Sequence, residues 1–259
     1  MSTSLFTEEE RKALVKVFGC IDNTTLEGCD THEKVERLCS SSIEMRDALQ
    51  HIASVAAVCV YPVFVRQACH LLQGTDIHVA AVAGAFPSGQ APLPIKLQEV
   101  RYALDEGADE IDTVISRGAL IEGDEKRVFD ELSAIRETAK GKLLKVILET
   151  GELPSPTLIA RASELAIDAG ADFIKTSTGK IAISATPEAA KVMLSVIEKH
   201  HENSGKWVGF KAAGGISTPE EALKYYQLAA AVYGEKNITK QYFRIGASRL
   251  TERIFSILT

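Results

Sequence analysis

The sequence contains no long hydrophobic run and no leader-like start. No apolar stretch approaches the roughly 18 residues that a helix needs to cross a bilayer, and Met1–Glu10 has neither the basic start nor the apolar centre of a signal peptide. We therefore expect a cytoplasmic protein with no membrane partner.

Cysteine and histidine are present, but not in patterns typical of disulfide frameworks or metal sites. The five cysteines form no C-x-x-C pair and their number is odd, and the six histidines include no H-E-x-x-H motif. Reduced, mostly buried thiols are the default for such cysteines. We expect neither a metal nor another cofactor.

The chain also has no excess of positive charge. It carries 29 Lys and Arg against 35 Asp and Glu, for a formal net charge of −6 and a pI near 5.6. A general nucleic-acid binder is usually basic, so no nucleic-acid partner is expected, although a local basic pocket could still hold a small phosphate.

What the sequence does contain is an unbroken alternation of strand and helix patterns. A short N-terminal helix is predicted at Thr7–Val17, and eight apolar runs follow, each preceding a helix-like segment. The predicted strands are Gly19–Thr24, Ser54–Tyr61, Val79–Phe86, Glu110–Ile115, Leu143–Leu148, Phe173–Thr178, Trp207–Ala213 and Phe243–Ala247. Eight such units in about 250 residues, with no G-x-G-x-x-G, favour a closed barrel over an open doubly wound sheet. We predict an α/β fold, a TIM (β/α)8 barrel with a short extra N-terminal helix, as a single domain over residues 1–259.

Two of these apolar strands contain a lysine. Lys175 lies in Phe173–Thr178 and Lys211 in Trp207–Ala213. Burying an unpaired ammonium costs several kcal/mol, so an interior lysine needs either a partner or a function. If the strands are neighbours, the charge of Lys211 can lower the pKa of Lys175 and make its amine a nucleophile for Schiff-base formation. The alternative is a strand-end lysine whose ammonium reaches water.

Further polar residues are predicted near the carboxyl ends of the strands, where the active site of this fold lies. Asp112 either faces the interior, where it would compensate two lysines and transfer protons, or caps a loop; the interior position is favoured. Lys145 and Glu149 form an interior ion pair or act in catalysis. Asp22 either contacts a substrate hydroxyl or anchors a loop, and for Cys59 a core thiol is favoured.

Glycines end the last three strands: Gly179 before Lys180, Gly214-Gly215, and Gly246 before Ala247-Ser248. Backbone N–H groups at glycine turns beside helix starts bind anions, and barrels often hold a phosphate after strands 7 and 8. A single such glycine could be turn chemistry alone. The three successive turns predict a phosphate-bearing substrate.

The chain resembles the deoxyribose-phosphate aldolase family from about Asp22 to Leu250. The motifs that carry the resemblance are Gly170–Gly179, Gly209–Lys211 with Gly214-Gly215, Gly107–Asp112, Lys145–Thr150, Phe86-Pro87 and Gly246–Ser248. The resemblance implies a metal-free class I aldolase, a carbon–carbon lyase that reversibly cleaves 2-deoxy-D-ribose 5-phosphate to D-glyceraldehyde 3-phosphate and acetaldehyde.

The resemblance also implies roles for individual residues. Lys175 would form the Schiff base, Lys211 would perturb the pKa of its amine, and Asp112 would move protons through water. The residues implied around the substrate are Asp22, Cys59, Lys145, Thr178, Gly179, Lys180, Gly214, Gly215 and Ser248. The partners would be a small sugar phosphate and an aldehyde, and the assembly could be a homodimer.

Some positions depart from the family pattern. Ala212 replaces a usual proline, Arg249 replaces a small hydroxyl residue, and no tyrosine ends the chain. These departures support one alternative, an aldolase-like barrel that serves as a binding or scaffold protein. A separate alternative keeps the Schiff base but changes the aldehyde or the sugar phosphate.

Overall fold

The computed structural model describes residues 6–50 and 52–259. Residues 1–5 and residue 51, which belong to the predicted domain, lie outside the described residues. The strands are β1 (Ile21–Thr24), β2 (Ala57–Val60), β3 (His78–Ala83), β4 (Glu110–Val114), β5 (Leu143–Ile147), β6 (Phe173–Lys175), β7 (Gly209–Ala213) and β8 (Phe243–Ala247).

These eight strands close into a barrel in sequence order. Every neighbouring pair is parallel, and β8 pairs with β1 through Asp22 and Gly246. Lys175 and Lys211 are partners in the register between β6 and β7. The predicted TIM-barrel fold is therefore confirmed, including the neighbouring positions of the two lysine strands.

Helices surround the barrel, and one of them precedes the first strand. They are α1 (Glu8–Phe18), α2 (His32–Ala48), α3 (Val65–Leu71), α4 (Leu93–Asp105), α5 (Arg117–Ile121), α6 (Glu125–Thr138), α7 (Pro156–Asp168), α8 (Pro187–Ser204), α9 (Pro219–Tyr233) and α10 (Leu250–Leu258). The extra N-terminal helix is α1, as predicted. None of the helices in the described ranges combines the length and apolar character needed to cross a membrane.

The helix starts show why the sequence turns at these points. Thr7 and Thr218 each form a reciprocal capping box with a glutamate three residues later, Glu10 and Glu221. Ser155 accepts a hydrogen bond from a first-turn N–H of α7, where proline takes the first helical position. Such caps satisfy backbone donors that would otherwise lack partners at the helix N-terminus.

The barrel lumen is filled in two different ways. A small apolar cluster lies next to β2 and β3; its members are Leu26, Ala57, Cys59, Ala80 and Val82. The other strands direct buried charged side chains inward, whereas branched aliphatic residues usually fill this space in such barrels. A lumen that holds ionised groups in place of aliphatic packing must compensate them internally.

The strand carrying Lys175 is shorter than predicted and ends at that lysine. Beyond it, the Thr176 hydroxyl accepts from the Ala213 N–H at 3.0 Å and donates to the Ala213 carbonyl at 3.2 Å, replacing ladder bonds with side-chain bonds. Gly179 then turns the chain with a φ of +77°, a conformation that suits glycine because it has no Cβ. The predicted strand end at Thr178 is therefore wrong by three residues.

Candidate active site

A cavity of about 230 Å³ opens at the carboxyl ends of β1, β6, β7 and β8. Its walls include Thr24, Lys175, Thr178, Ala213 and Ala247. This is the end of the barrel at which TIM-barrel enzymes bind their substrates. Lys175 lies at its floor, where β6 ends.

Lys175 shares one carboxylate oxygen with Lys211. Oδ2 of Asp112 accepts a hydrogen bond from Lys175 Nζ at 2.7 Å and from Lys211 Nζ at 2.8 Å. Asp112 therefore faces the lumen, as favoured from the sequence, and lies between the two amines. Of these three residues only Lys175 lines the cavity.

The two amines titrate in opposite directions. Burial lowers the pKa of Lys175, and the nearby charge of Lys211 lowers it further, although Asp112 partly offsets both effects. For Lys211 the carboxylates of Asp112 and Asp22 outweigh the effect of burial, so its pKa is raised. Lys175 is thus the more readily deprotonated amine, with burial as the larger cause and Lys211 as the smaller one.

Below this pair, the lumen holds further buried charges. Lys145 Nζ lies 2.7 Å from Asp112 Oδ1 and 3.4 Å from Asp22 Oδ2, and it also pairs with Glu110. Arg244 donates to Asp22 at 2.5 Å and to Glu110 at 2.8 Å. The pKa values of Asp22, Glu110 and Asp112 are all lowered, because the surrounding cations outweigh the effect of burial.

Ion pairs connect these groups into one lumen network of four basic and three acidic side chains: Lys145, Lys175, Lys211, Arg244, Asp22, Glu110 and Asp112. The half-exposed ring of His78 also lies 2.8 Å from Glu110, at the edge of this network. Counted without His78 and with every group ionised, the seven buried side chains carry one excess positive charge. Loss of a proton from Lys175, the lysine of the network with the lowered pKa, balances it. The charge count of the buried groups therefore agrees with the direction in which the Lys175 pKa is shifted.

The opposite side of the cavity is built from turns rich in glycine. Gly179, Gly214 and Gly215 all line it, as do Ser248 and Arg249 at the start of α10. Gly214 has a φ of +85°, and a Cβ there would lie 2.5 Å from the Ser184 Cβ. The close packing of the two loops therefore requires glycine at this position, and glycine turns of this kind can offer backbone N–H groups to an anion.

The predicted site residues separate into two groups. Thr178, Gly179, Lys180, Gly214, Gly215 and Ser248 line the cavity together with Lys175. Asp22, Cys59, Lys145 and Lys211 are buried and are not among its lining residues. For Cys59, burial raises the pKa to about 11, so its thiol stays protonated at neutral pH, as expected of a core thiol.

Lys145 and Glu149 do not form the interior ion pair considered from their spacing. Glu149 has a φ of +55°, which takes its side chain out of the strand alternation. Its carboxylate accepts hydrogen bonds from the N–H and hydroxyl of Thr178. Glu149 therefore positions Thr178 on the cavity wall, while Lys145 pairs within the lumen network.

Arg244 was not among the residues predicted from the sequence. It lies in the middle of β8, is 1% exposed, and contacts the Phe173 ring at 5.6 Å. The sequence contains a signal for Arg244, because it is a charged residue inside an apolar strand, as Lys175 and Lys211 are. Glu110 gave a similar signal through its two-residue spacing from Asp112.

With a lysine of lowered pKa at the carboxyl end of a closed parallel barrel, the chain has the fold and site of a TIM-barrel enzyme. Comparison with known proteins narrows this class. Residues 16–247 match the DeoC/LacD family aldolases. The chain belongs to this family and is an aldolase.

Solved structures agree with the family. The chain is 31% identical to a protein of Coccidioides immitis provisionally named a deoxyribose-phosphate aldolase, with a TM-score of 0.79 over 94% of this chain and 86% of that one. A similarly named protein of Toxoplasma gondii is 25% identical, with a TM-score of 0.85 over 97% and 98% of the two chains. The deoxyribose phosphate aldolase of Aeropyrum pernix is 25% identical, with a TM-score of 0.72 over 97% of each chain.

Proposed function

We propose that the protein is a deoxyribose-phosphate aldolase that cleaves 2-deoxy-D-ribose 5-phosphate through a Schiff base on Lys175. The observation that carries the proposal is the position of Lys175: among the three lysines of the lumen network it alone lines the cavity, and it alone has a lowered pKa. The glycine turns and Arg249 on the other side of the cavity supply a site for the phosphate. The names of the similar proteins support this choice of sugar.

The first step is the addition of the neutral Lys175 amine to the C1 carbonyl of the open-chain sugar. The resulting carbinolamine loses water and becomes a protonated imine on Lys175. Asp112, whose lowered pKa keeps it ionised, lies next to this cation and compensates part of its charge. A carboxylate that already bonds the free amine requires little rearrangement when the charge develops.

Cleavage then breaks the C2–C3 bond. The C3 hydroxyl passes its proton to water, C3 becomes the aldehyde carbon of D-glyceraldehyde 3-phosphate, and the bonding electron pair moves into the imine to give a neutral enamine. Because the lumen network has one excess positive charge while the imine is protonated, formation of the neutral enamine restores its balance. The network thus favours electron withdrawal at this step.

The last steps return a proton to C2 and release acetaldehyde. Water enters the cavity, the enamine takes up a proton at C2, and hydrolysis of the imine regenerates the Lys175 amine. We assign the relay of these protons to Asp112 acting through water, since its carboxylate bonds directly to Lys175 Nζ. Phosphate binding at the glycine turns holds the sugar while C1 reacts with the amine.

Trapping with borohydride tests the proposal. Borohydride should reduce the imine formed from enzyme and 2-deoxy-D-ribose 5-phosphate, and peptide mapping should find the adduct on Lys175. Lys175→Met should abolish both adduct and turnover, whereas Lys142→Met, which removes an exposed lysine, should retain both. An adduct confined to another lysine, or turnover by Lys175→Met, would contradict the assignment. If an adduct on Lys175 formed only with a different sugar phosphate, the proposed substrate would be wrong but the proposed mechanism would stand.

A further inference from the structure

One side chain on the cavity wall has the same sign of charge as a phosphate. Glu27, in the loop between β1 and α2, lines the cavity, and its Oε1 accepts a hydrogen bond from Lys180 Nζ at 2.9 Å. Lys180 follows Gly179 on the loop after β6, so the ion pair joins two loops across the cavity. The cation beside the glycine turns is therefore already paired with a carboxylate of the protein.

The backbone that carries Glu27 is firmly held. Leu26 is buried in the apolar cluster of the lumen, and the Thr25 N–H donates to the Cys59 carbonyl at 3.1 Å. Asp30 accepts hydrogen bonds from the Glu27 N–H and the Thr25 hydroxyl, both at 2.9 Å. Because the backbone is fixed, Glu27 can leave Lys180 only by rotating its own side chain, which is 60% exposed.

A second cavity adjoins the side chain of Glu27 and is the space into which a displaced carboxylate would turn. This cavity, of about 600 Å³, adjoins the first, since Glu27, Thr24 and Ser248 line both. Its walls also carry Lys34 and Arg37. Both cations already have partners, Asp30 for Lys34 and Glu33 for Arg37, and Glu44 and Glu252 line the same cavity. A Glu27 carboxylate that turned into this cavity would therefore be hydrated and would gain no unpaired cation, so its displacement from Lys180 costs free energy.

The other cation of the site is in a different situation. Arg249 lines the same cavity at the start of α10, and among the described residues it has no hydrogen-bond or ion-pair partner. An incoming phosphate would therefore meet one unpaired cation, Arg249, and one paired cation, Lys180. It must displace Glu27, or bind beside it at the cost of like-charge repulsion, to use the second cation.

We propose that Glu27 is a specificity-determining residue that competes with the substrate phosphate for Lys180. Its carboxylate lowers the affinity of the site for phosphate and, by neutralising Lys180, lets the site accept unphosphorylated 2-deoxyribose more readily than an unpaired lysine would. The consequence for sugar selection rests on the proposed function, whereas the competition itself concerns only phosphate, Lys180 and Glu27.

Calorimetric titration with inorganic phosphate tests the competition directly. Glu27→Gln removes the carboxylate charge with little change in shape, and it should tighten phosphate binding by about twofold to fivefold, in the range expected for a partly exposed ion pair. This gain should shrink as salt is added, because the charges are partly exposed. The matched control is Glu44→Gln, which removes an exposed glutamate from the wall of the second cavity and should leave phosphate affinity unchanged.

A double variant separates competition for Lys180 from a general charge effect. In a Lys180→Met background, Glu27→Gln should give at most a small gain, because the lysine for which the two anions compete is absent. Equal phosphate affinity of wild type and Glu27→Gln, an equal gain from Glu44→Gln, an undiminished gain without Lys180, or no phosphate binding by any variant would each overturn the proposal.

Steady-state kinetics then test the consequence for sugar selection. Glu27→Gln should lower KM for 2-deoxy-D-ribose 5-phosphate by a similar factor and raise the preference for this sugar over 2-deoxyribose, with kcat little changed. An unchanged preference would refute this part. Failure of the wild type to cleave the phosphorylated sugar would refute the proposed function instead, while the phosphate titration would still report on Glu27.

Discussion

A charged lysine inside a barrel must be compensated by carboxylates, and the three lysines of the lumen network are compensated to different extents. Lys145 and Lys211 contact two or more carboxylates each and have raised pKa values, whereas Lys175 contacts Asp112 alone and has a lowered one. The number of carboxylate partners thus distinguishes Lys175, the proposed nucleophile, from its neighbours. Chemically identical side chains on adjacent strands acquire different functions in this way.

Removing the neighbouring cation should move the acid limb of the pH–rate profile. Lys211 lowers the pKa of Lys175, so Lys211→Met should raise it and shift the limb to higher pH. Since only the neutral amine reacts, a shift of about one pH unit would reduce kcat/KM about tenfold at neutral pH. Lys211→Arg retains the charge and should keep the limb near its wild-type position. A limb unchanged in Lys211→Met would show that burial alone sets the pKa.

Neutralising the shared carboxylate should destabilise the fold. Asp112→Asn leaves three buried lysines without the acceptor that they have in common. Breaking a buried charge pair in this way typically costs about 3–5 kcal/mol, to be measured by urea denaturation at neutral pH. Asp168→Asn, at an exposed position on α7, should change the unfolding free energy by less than about 0.5 kcal/mol. A loss no larger than this control would mean that the lumen network contributes little to stability.

For individual residues, the sequence predicted the interior positions of Lys175, Lys211 and Asp112, because charged residues inside apolar strands are easily recognised. It could not predict which carboxylate each lysine contacts. Lys145 and Glu149 are four residues apart in one strand, yet the left-handed backbone at Glu149 separates them. Such a φ value for a residue other than glycine has no clear sequence signature.

The glycine turns after β6 and β7 act as one structural unit, because each depends on the other for space. Gly179 and Gly214 pack directly together: a Cβ added at Gly214 would lie 3.0 Å from the Gly179 Cα. Any side chain in this contact would separate the loops and move their N–H groups out of position. The proposed anion site therefore depends on the loop pair and not on either loop alone.

Adjacent glycines provide a matched test of this loop packing. Gly214→Ala and Gly215→Ala both place alanine at positive φ, but only the first creates contacts, since no atom lies within 4 Å of a Cβ at Gly215. Both variants should lose about 1 kcal/mol of stability or somewhat more through backbone strain. Phosphate affinity measured by calorimetry should fall about tenfold or more in Gly214→Ala and clearly less in Gly215→Ala. Equal losses would show that the loop contact does not shape the anion site.

Element positions were predicted well where periodic apolar residues decide them, as in β8, whose bounds match the prediction. They were predicted poorly where side chains replace ladder bonds, as after Lys175. The short helix α5 (Arg117–Ile121) was missed because five residues are too few to show a helical period. The ion pair of Glu27 with Lys180 was also invisible, because its residues lie 153 positions apart.

The whole barrel is organised around a charged lumen, and this should make its stability sensitive to acid. Asp22, Glu110 and Asp112 have folded-state pKa values below their ordinary ones. The unfolded chain therefore binds protons that the folded chain does not, so the stabilisation is present above about pH 5 and is lost progressively as the pH falls below about 4.

Urea denaturation as a function of pH measures this effect. The unfolding free energy of the wild type should fall by several kcal/mol between about pH 5 and about pH 3. Asp112→Asn should show a weaker pH dependence because one of the three carboxylates is absent. Parallel curves for the two proteins would contradict the lowered pKa of Asp112.

The fold of the whole molecule was predictable from eight alternating strand and helix patterns. Eight parallel strands covered by helices can be arranged in few ways, and a closed barrel is one of them. The balance of charge in the lumen was not predictable. It depends on seven side chains from β1, β4, β5, β6, β7 and β8, and only closure of the barrel brings them together.

The most direct measurement is the titration of the Lys175 amine itself. Competitive labelling with trace acetic anhydride from about pH 5 to about pH 11, read by peptide mass spectrometry against the exposed Lys206, reports the neutral fraction of each amine. Because the pKa of Lys175 is lowered, its reactivity should rise to half its maximum below the ordinary lysine pKa of about 10.4. In Lys211→Met the half-point should lie at higher pH than in the wild type. A half-point for wild-type Lys175 at or above the ordinary value would contradict the neutral amine on which the proposed chemistry depends.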